Sequence, residues 1–154
     1  MANDAVEFMN CLQVSDETDN LKDDQEKFVR QLFGCLDDDG NRQYRKALFT
    51  APRGEGKTTM CAKIALYSLI CLPDGQEIFC IGSDGCVTSI LFNTMKKMVL
   101  NNSLLSSICD IVESQKRIYC KNRNSFISAF SNEANKQCGL NPSVLLFDEM
   151  EHFK

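Results

Sequence analysis

The stretch Ala47-Leu-Phe-Thr-Ala-Pro-Arg-Gly-Glu-Gly-Lys-Thr-Thr59 constrains this chain more than any other. A short apolar run ends in a Pro/Gly-rich turn, and Gly56, Lys57 and Thr58 lead into a long apolar helix candidate. Strand, glycine loop and helix N-terminus in that order make a phosphate-binding P-loop. Backbone N–H groups of the loop converge on an anion, and the helix dipole adds partial positive charge. Gly54, Gly56 and Thr59 belong to this cradle, Lys57 is placed to reach the terminal phosphates, and Thr58 to hold Mg²⁺. The usual pattern opens on glycine; here that position is Ala51. Without its flanking strand and helix, the same stretch would read as a surface turn.

The rest of the chain alternates strands and helices, which predicts an α/β fold with a mainly parallel sheet flanked by helices. Residues 1–20 form an acidic lead segment, either a short helix through Phe8, Met9, Cys11 and Leu12 or a loose tether. From Leu21 onward Phe28, Val29, Leu32 and Phe33 recur at helical spacing, with Gly34 as terminator. Leu36 to Asn41 is a polar turn, and Ala47 to Thr50 is the first core strand. Thr59 to Leu72 is apolar nearly all round, as in a helix buried on more than one side.

Glu77 to Gly82 is a continuous apolar run, as in a parallel strand covered on both faces. Ser83 or Asp84 caps the next helix, with Val87, Ile90, Leu91, Met95, Met98 and Val99 on one stripe. Leu104 to Val112 suggests a further short helix. Lys116 to Cys120 and Ser125 to Phe130 read as a hairpin around Lys121 to Asn124, Ser131 to Pro142 as a polar loop, and Val144 to Asp148 as a strand ending in an acid.

Composition narrows the class. A net charge of −4 gives no global nucleic-acid footprint. Lys96-Lys97, Lys116-Arg117 with Lys121 and Arg123, and Arg42 to Lys46 are local basic clusters whose default reading is a solvated face. No apolar run is long enough for a membrane span, and no secretory leader is visible. The nine cysteines include no C-x-x-C pair. They read as reduced thiols of a cytoplasmic protein, and His152 as the single histidine offers no zinc set.

A second motif reinforces the first. Val144 to Phe147 leads into Asp148-Glu149, about 90 residues after the loop. An acid at the C-terminal end of a buried parallel strand lies where such sheets bind ligands. Asp148 fits as the second anchor for Mg²⁺ and Glu149 as the carboxylate that polarises an attacking water. Arg53, inside the loop, is either a guanidinium that reaches the γ-phosphate in cis or a surface arginine paired with Glu55. Gln25 offers a donor and an acceptor matched to an adenine edge, although a lone helical glutamine is usually only solvated.

These residues resemble a known family. Gln25-Glu-Lys-Phe with Leu32-Phe-Gly34 resembles the adenine-side segment of the large terminase subunits of tailed bacteriophages. Ala51 to Thr58 resembles their deviant Walker A, arginine included. Ser131-Asn-Glu-Ala and then Gly139 to Glu149 resemble their approach to Walker B. The likeness runs over about residues 20–154 and implies an N-terminal part of a P-loop ATPase domain over 21–154.

The resemblance further implies ATP hydrolysis that drives viral DNA into a capsid, with ATP and Mg²⁺ as ligands. By position Gln25 would contact adenine, Arg53 would be the cis arginine, and Lys57 and Thr58 would bind phosphate and Mg²⁺. Asp148 would coordinate Mg²⁺, and Glu149 would activate water. Implied partners are double-stranded viral DNA, a portal protein, a small terminase subunit and further copies in a homo-oligomeric motor, in the cytoplasm of an infected bacterium.

The family also carries a nuclease domain, absent from this sequence, which ends five residues after Glu149. The expectation is therefore an ATPase core incomplete at its C-terminal end, from a truncated, split or interrupted gene. In ATPases of this type the strand after Walker B inserts between the Walker A and Walker B strands. Strands lie about 4.8 Å apart, so a gap of roughly 10 Å should stay open, close up or be filled by another chain. Two other readings are a helicase-like P-loop motor and an inactive fragment completed by a second polypeptide.

Overall fold

The computed structural model describes residues 4–15, 19–131 and 141–150. Five strands form one sheet: β1 (Glu77–Gly82), β2 (Cys109–Val112), β3 (Arg117–Cys120), β4 (Ser125–Ser131) and β5 (Val144–Asp148), in the order β2-β3-β4-β1-β5. The half that matters for function, β4-β1-β5, is parallel, and β3 and β2 extend its far side as antiparallel strands. Among the described residues five α-helices accompany the sheet: α1 (Ala5–Asn10), α2 (Asp23–Gly34), α3 (Lys57–Cys71), α4 (Gly85–Leu100) and α5 (Ser103–Ile108).

The period-two alternation of the strands sorts the core. Ile78 and Cys80 of β1 and Ile127 and Ala129 of β4 join Ala62, Leu66, Leu69, Leu91, Met95 and Met98 of α3 and α4 in one buried cluster. Their neighbours on the opposite face are aromatic: the Phe79 ring meets Phe126 and Phe130 edge to face at 5.9 and 5.8 Å. Helix α3 is apolar all round because it serves two cores. Met60, Ile64 and Tyr67 form a second cluster with Ala5, Val6 and Met9 of α1 and Val29 of α2. The lead segment thus docks through α1 as the first of its two expected forms. Asp84 caps α4, its carboxylate accepting from the N–H groups of Cys86 and Val87 at 2.7 and 2.8 Å.

Three expectations differ from what is observed. Leu104 to Val112 is not one helix: α5 ends at Ile108, and residues 109–112 form β2 against β3. The α4 stripe is rotated, since Phe92 is buried and Ile90 is 54% exposed. Ala47 to Thr50 forms no strand among the described residues. It runs beside the free edge of β5 without pairing to it, and a strand exists only through its ladder partners. Between this segment and β5 lies a cavity of about 260 Å³, bordered by Leu48, Phe49, Leu145 and Phe147 and floored by Phe28 and Met60. Leu48 is 71% exposed there. The loop before β5, including Gly139, lies almost wholly outside the described residues, as do His152 and Cys138.

Candidate active site

The glycine loop is shaped before any ligand arrives. Gly54 and Gly56 sit at φ +86 and +76, which only glycine adopts readily. Ala51 has no such φ, so its side chain is compatible with the turn. Its carbonyl receives the Lys57 ammonium at 2.8 Å. Gly56 is the N-cap of α3, and the first-turn N–H groups of a helix have no carbonyl within it to bond. Phe49 stacks edge to face on Phe28 at 5.2 Å and so ties the approach to the loop onto α2.

The two sequence motifs meet. Thr58 Oγ1 donates to Asp148 Oδ2 at 2.7 Å across 90 residues of chain. Asp148 is 3% exposed at the C-terminal end of β5, in register with Gly82 of β1. A hydroxyl and a carboxylate side by side are the hard oxygen donors that Mg²⁺ selects, so the residues present fit that ion. The thiols below respond to the same carboxylate. Burial raises the Cys61 thiol well above its ordinary 9.0, with Cys80 and Asp148 adding to it. Burial and then Asp148 push Cys80 up to about 12. Both cysteines are unreactive packing groups at neutral pH.

Glu149 follows at φ +56, one of three non-glycine residues with positive φ among those described. That conformation is costly for a side-chain-bearing residue and turns the chain sharply at the strand end. Its carboxylate has no hydrogen bond or ion pair among the described residues, and it borders the larger cavity with Lys57 and Asp148. Arg53 is exposed and likewise unpartnered among the described residues. Its alternative partner, Glu55, is taken by Lys22.

Gln25 is placed differently from a free base-reading amide. It is 6% exposed, its Nε2 donates to the Glu55 carbonyl at 2.9 Å, and its Oε1 accepts from the Lys22 N–H at 3.1 Å. In this state it caps α2 and braces the glycine loop. Thr59 lines a second, smaller cavity on this side of the loop. Sequence reasoning overlooked Lys63, which lines the same cavity and is 1% exposed. The available signal was a second charge, beyond Lys57 of the loop, inside an otherwise largely apolar helix.

The basic clusters are largely engaged within the fold. Lys96 pairs with Glu113, Lys121 with Asp110, and Arg123 with Asp74, while Lys116 donates to Ser89. Among the described residues no helix is long and apolar enough to cross a membrane.

Comparison with known proteins points to one family. The sequence model of the terminase large subunit ATPase domain matches residues 24–154. No curated protein matches the chain. Among solved structures, the crystal structure of the HK97 bacteriophage large terminase superposes with a TM-score of 0.83 at 25% sequence identity, over 95% of this chain and 30% of that one.

Proposed function

The chain belongs to the terminase large subunit ATPase-domain family, and from that premise we propose that it binds and hydrolyses ATP as part of a bacteriophage DNA-packaging motor. The observation that carries the reading is the 2.7 Å contact between Thr58 and Asp148, which joins the glycine loop to the acidic strand end. Lys57, now on the Ala51 carbonyl, would exchange that acceptor for phosphate oxygens, a charge-assisted and therefore stronger bond. Thr58 and Asp148 would hold Mg²⁺, which when bound neutralises charge on the phosphates. Arg53, without a partner among the described residues, would swing to the γ-phosphate and stabilise charge that grows in the transition state. Glu149 would orient a water and accept its proton, and its pinned backbone limits where that carboxylate can reach.

In the motor as a whole, hydrolysis would drive double-stranded viral DNA into the capsid, with a portal protein, a small terminase subunit and further copies as partners. This chain spans 30% of the HK97 terminase, so these partners are part of the proposal. Gln25 is proposed to read adenine after releasing one of its two present bonds. The test is phosphate release from Mg·ATP by the wild type and Glu149→Gln. The wild type should turn over while the variant binds ATP without releasing phosphate; equal rates would contradict the assignment.

A further inference from the structure

Lys63 presents a physical puzzle. Helix α3 buries an ammonium group to 1% exposure in a setting that would take a methionine of similar length. Desolvation lowers its pKa below the ordinary 10.5, with Asp19 opposing. The ammonium donates to the backbone carbonyl of Asp19, and the Asp19 carboxylate stands further off at 4.0 Å. A buried cation held mainly by one main-chain oxygen is a poor stabilising device. Its main effect is to fix the position of that segment.

The segment is a strap. Leu21 N–H donates to Asn10 of α1 at 2.8 Å, Lys22 pairs with Glu55, and Gln25 holds the Glu55 carbonyl. Residues 19–22 thus bridge from α1 to the glycine loop. Beneath them is a cavity of about 170 Å³ whose other walls are Gly54–Gly56, Gln25, Thr59 and Lys63. The ends of a nucleotide on this loop can be assigned from the loop itself. Thr58 turns to Asp148, which marks the metal end, whereas the next residue, Thr59, turns to the strap cavity.

We infer that Lys63 is a positioning residue for nucleotide binding: by holding the Asp19 carbonyl it fixes the strap as the outer wall of the cavity that takes the base end of the ligand. This rests on the reading of the loop as a nucleotide site. The strap lines the cavity on the Thr59 side and not the one bordered by Lys57 and Asp148, so its contribution is assigned to the nucleoside. Without Lys63 the strap must be ordered by the ligand, and that cost appears in affinity.

The experiment titrates Mg·ATP and Mg·tripolyphosphate into wild type, Lys63→Met and Lys57→Ala. Lys63→Met should weaken ATP about tenfold, which corresponds to about 1.4 kcal/mol, while tripolyphosphate stays within about twofold. Equal loss for both ligands, or no loss, overturns the inference. Lys57→Ala should weaken both ligands; if it weakens neither, the nucleotide-site reading fails and this inference with it. Amide exchange on the wild type is independent of how Lys63→Met folds. Exchange at Asn20–Lys22 should slow with ATP and not with tripolyphosphate, and equal exchange with the two overturns the inference.

Discussion

Replacing Asp148 with asparagine separates the roles of the carboxylate. The side chain is 3% exposed and its single described hydrogen bond comes from Thr58 at 2.7 Å. Asparagine keeps the size and one acceptor oxygen. A hydrogen bond to a charged acceptor contributes about 1.5–3 kcal/mol and a neutral one about 0.5–1.5, so the bond itself loses about 1 kcal/mol. Against this, the wild type buries a carboxylate with one partner among the described residues, a desolvation penalty of several kcal/mol that asparagine avoids. The ligand-free variant should therefore be as stable as the wild type or more so, by up to about 2 kcal/mol in urea unfolding.

The ligand-bound balance is opposite in sign. A carboxylate about 4 Å from a divalent cation at an effective dielectric of about 20 gains about 8 kcal/mol before desolvation. Keeping even a third of that makes the loss about 100-fold in affinity. Calorimetric titration of ATP with and without Mg²⁺ reads it directly. Asp148→Asn should cut affinity only when Mg²⁺ is present. A variant that binds Mg·ATP like the wild type, or that unfolds more easily by over about 2 kcal/mol, would show that Asp148 is a structural residue and refute the reasoning.

Two further outcomes follow from the fold. A Cβ on Gly82 would lie 2.6 Å from Thr88 Oγ1 and 2.7 Å from the Thr88 backbone nitrogen, so Gly82→Ala should force α4 off the end of β1. The expected cost is about 1–3 kcal/mol in thermal or urea unfolding, and an unchanged midpoint would contradict it. Alkaline pH should destabilise the fold. Burial raises Cys80 and Cys109 from 9.0 to about 12, so their stabilisation is complete below pH 9 and is lost as pH rises toward 12. From pH 8 to 10.5 each thiol should cost about 2 kcal/mol. Lys63, with its lowered pKa, works the other way in the window below 10.5, as a single group. Urea midpoints at the two pH values check the sign, and Cys80→Ala should flatten the slope.

The elements that the sequence revealed are those whose pattern is local. Helices α2, α3 and α4 declared themselves through period, glycines and the Asp84 cap, and β1, β4 and β5 through apolar runs bounded by polar turns. The Thr58–Asp148 pairing was legible because each motif carries its own chemistry and an α/β sheet brings strand ends together. What could not be read depends on partners far along the chain. Ile111 and Val112 fit a helix or a strand equally well until β3 offers a ladder. Ala47 to Thr50 has the composition of a strand and yet pairs with no strand among the described residues. Lys22 took Glu55 from Arg53, and Lys63 found a carbonyl 44 residues away, neither of which any spacing rule encodes.

The account stands on Lys57 and the loop around it holding the phosphates of a nucleotide. Its most direct test is calorimetric titration of Mg·ATP into the wild type and Lys57→Ala, with unfolding curves to show that both are folded. The account predicts saturable one-site binding by the wild type and affinity weakened at least about 100-fold in the variant, through loss of a charge-assisted contact worth about 3 kcal/mol. Equal affinity in the two proteins would contradict it.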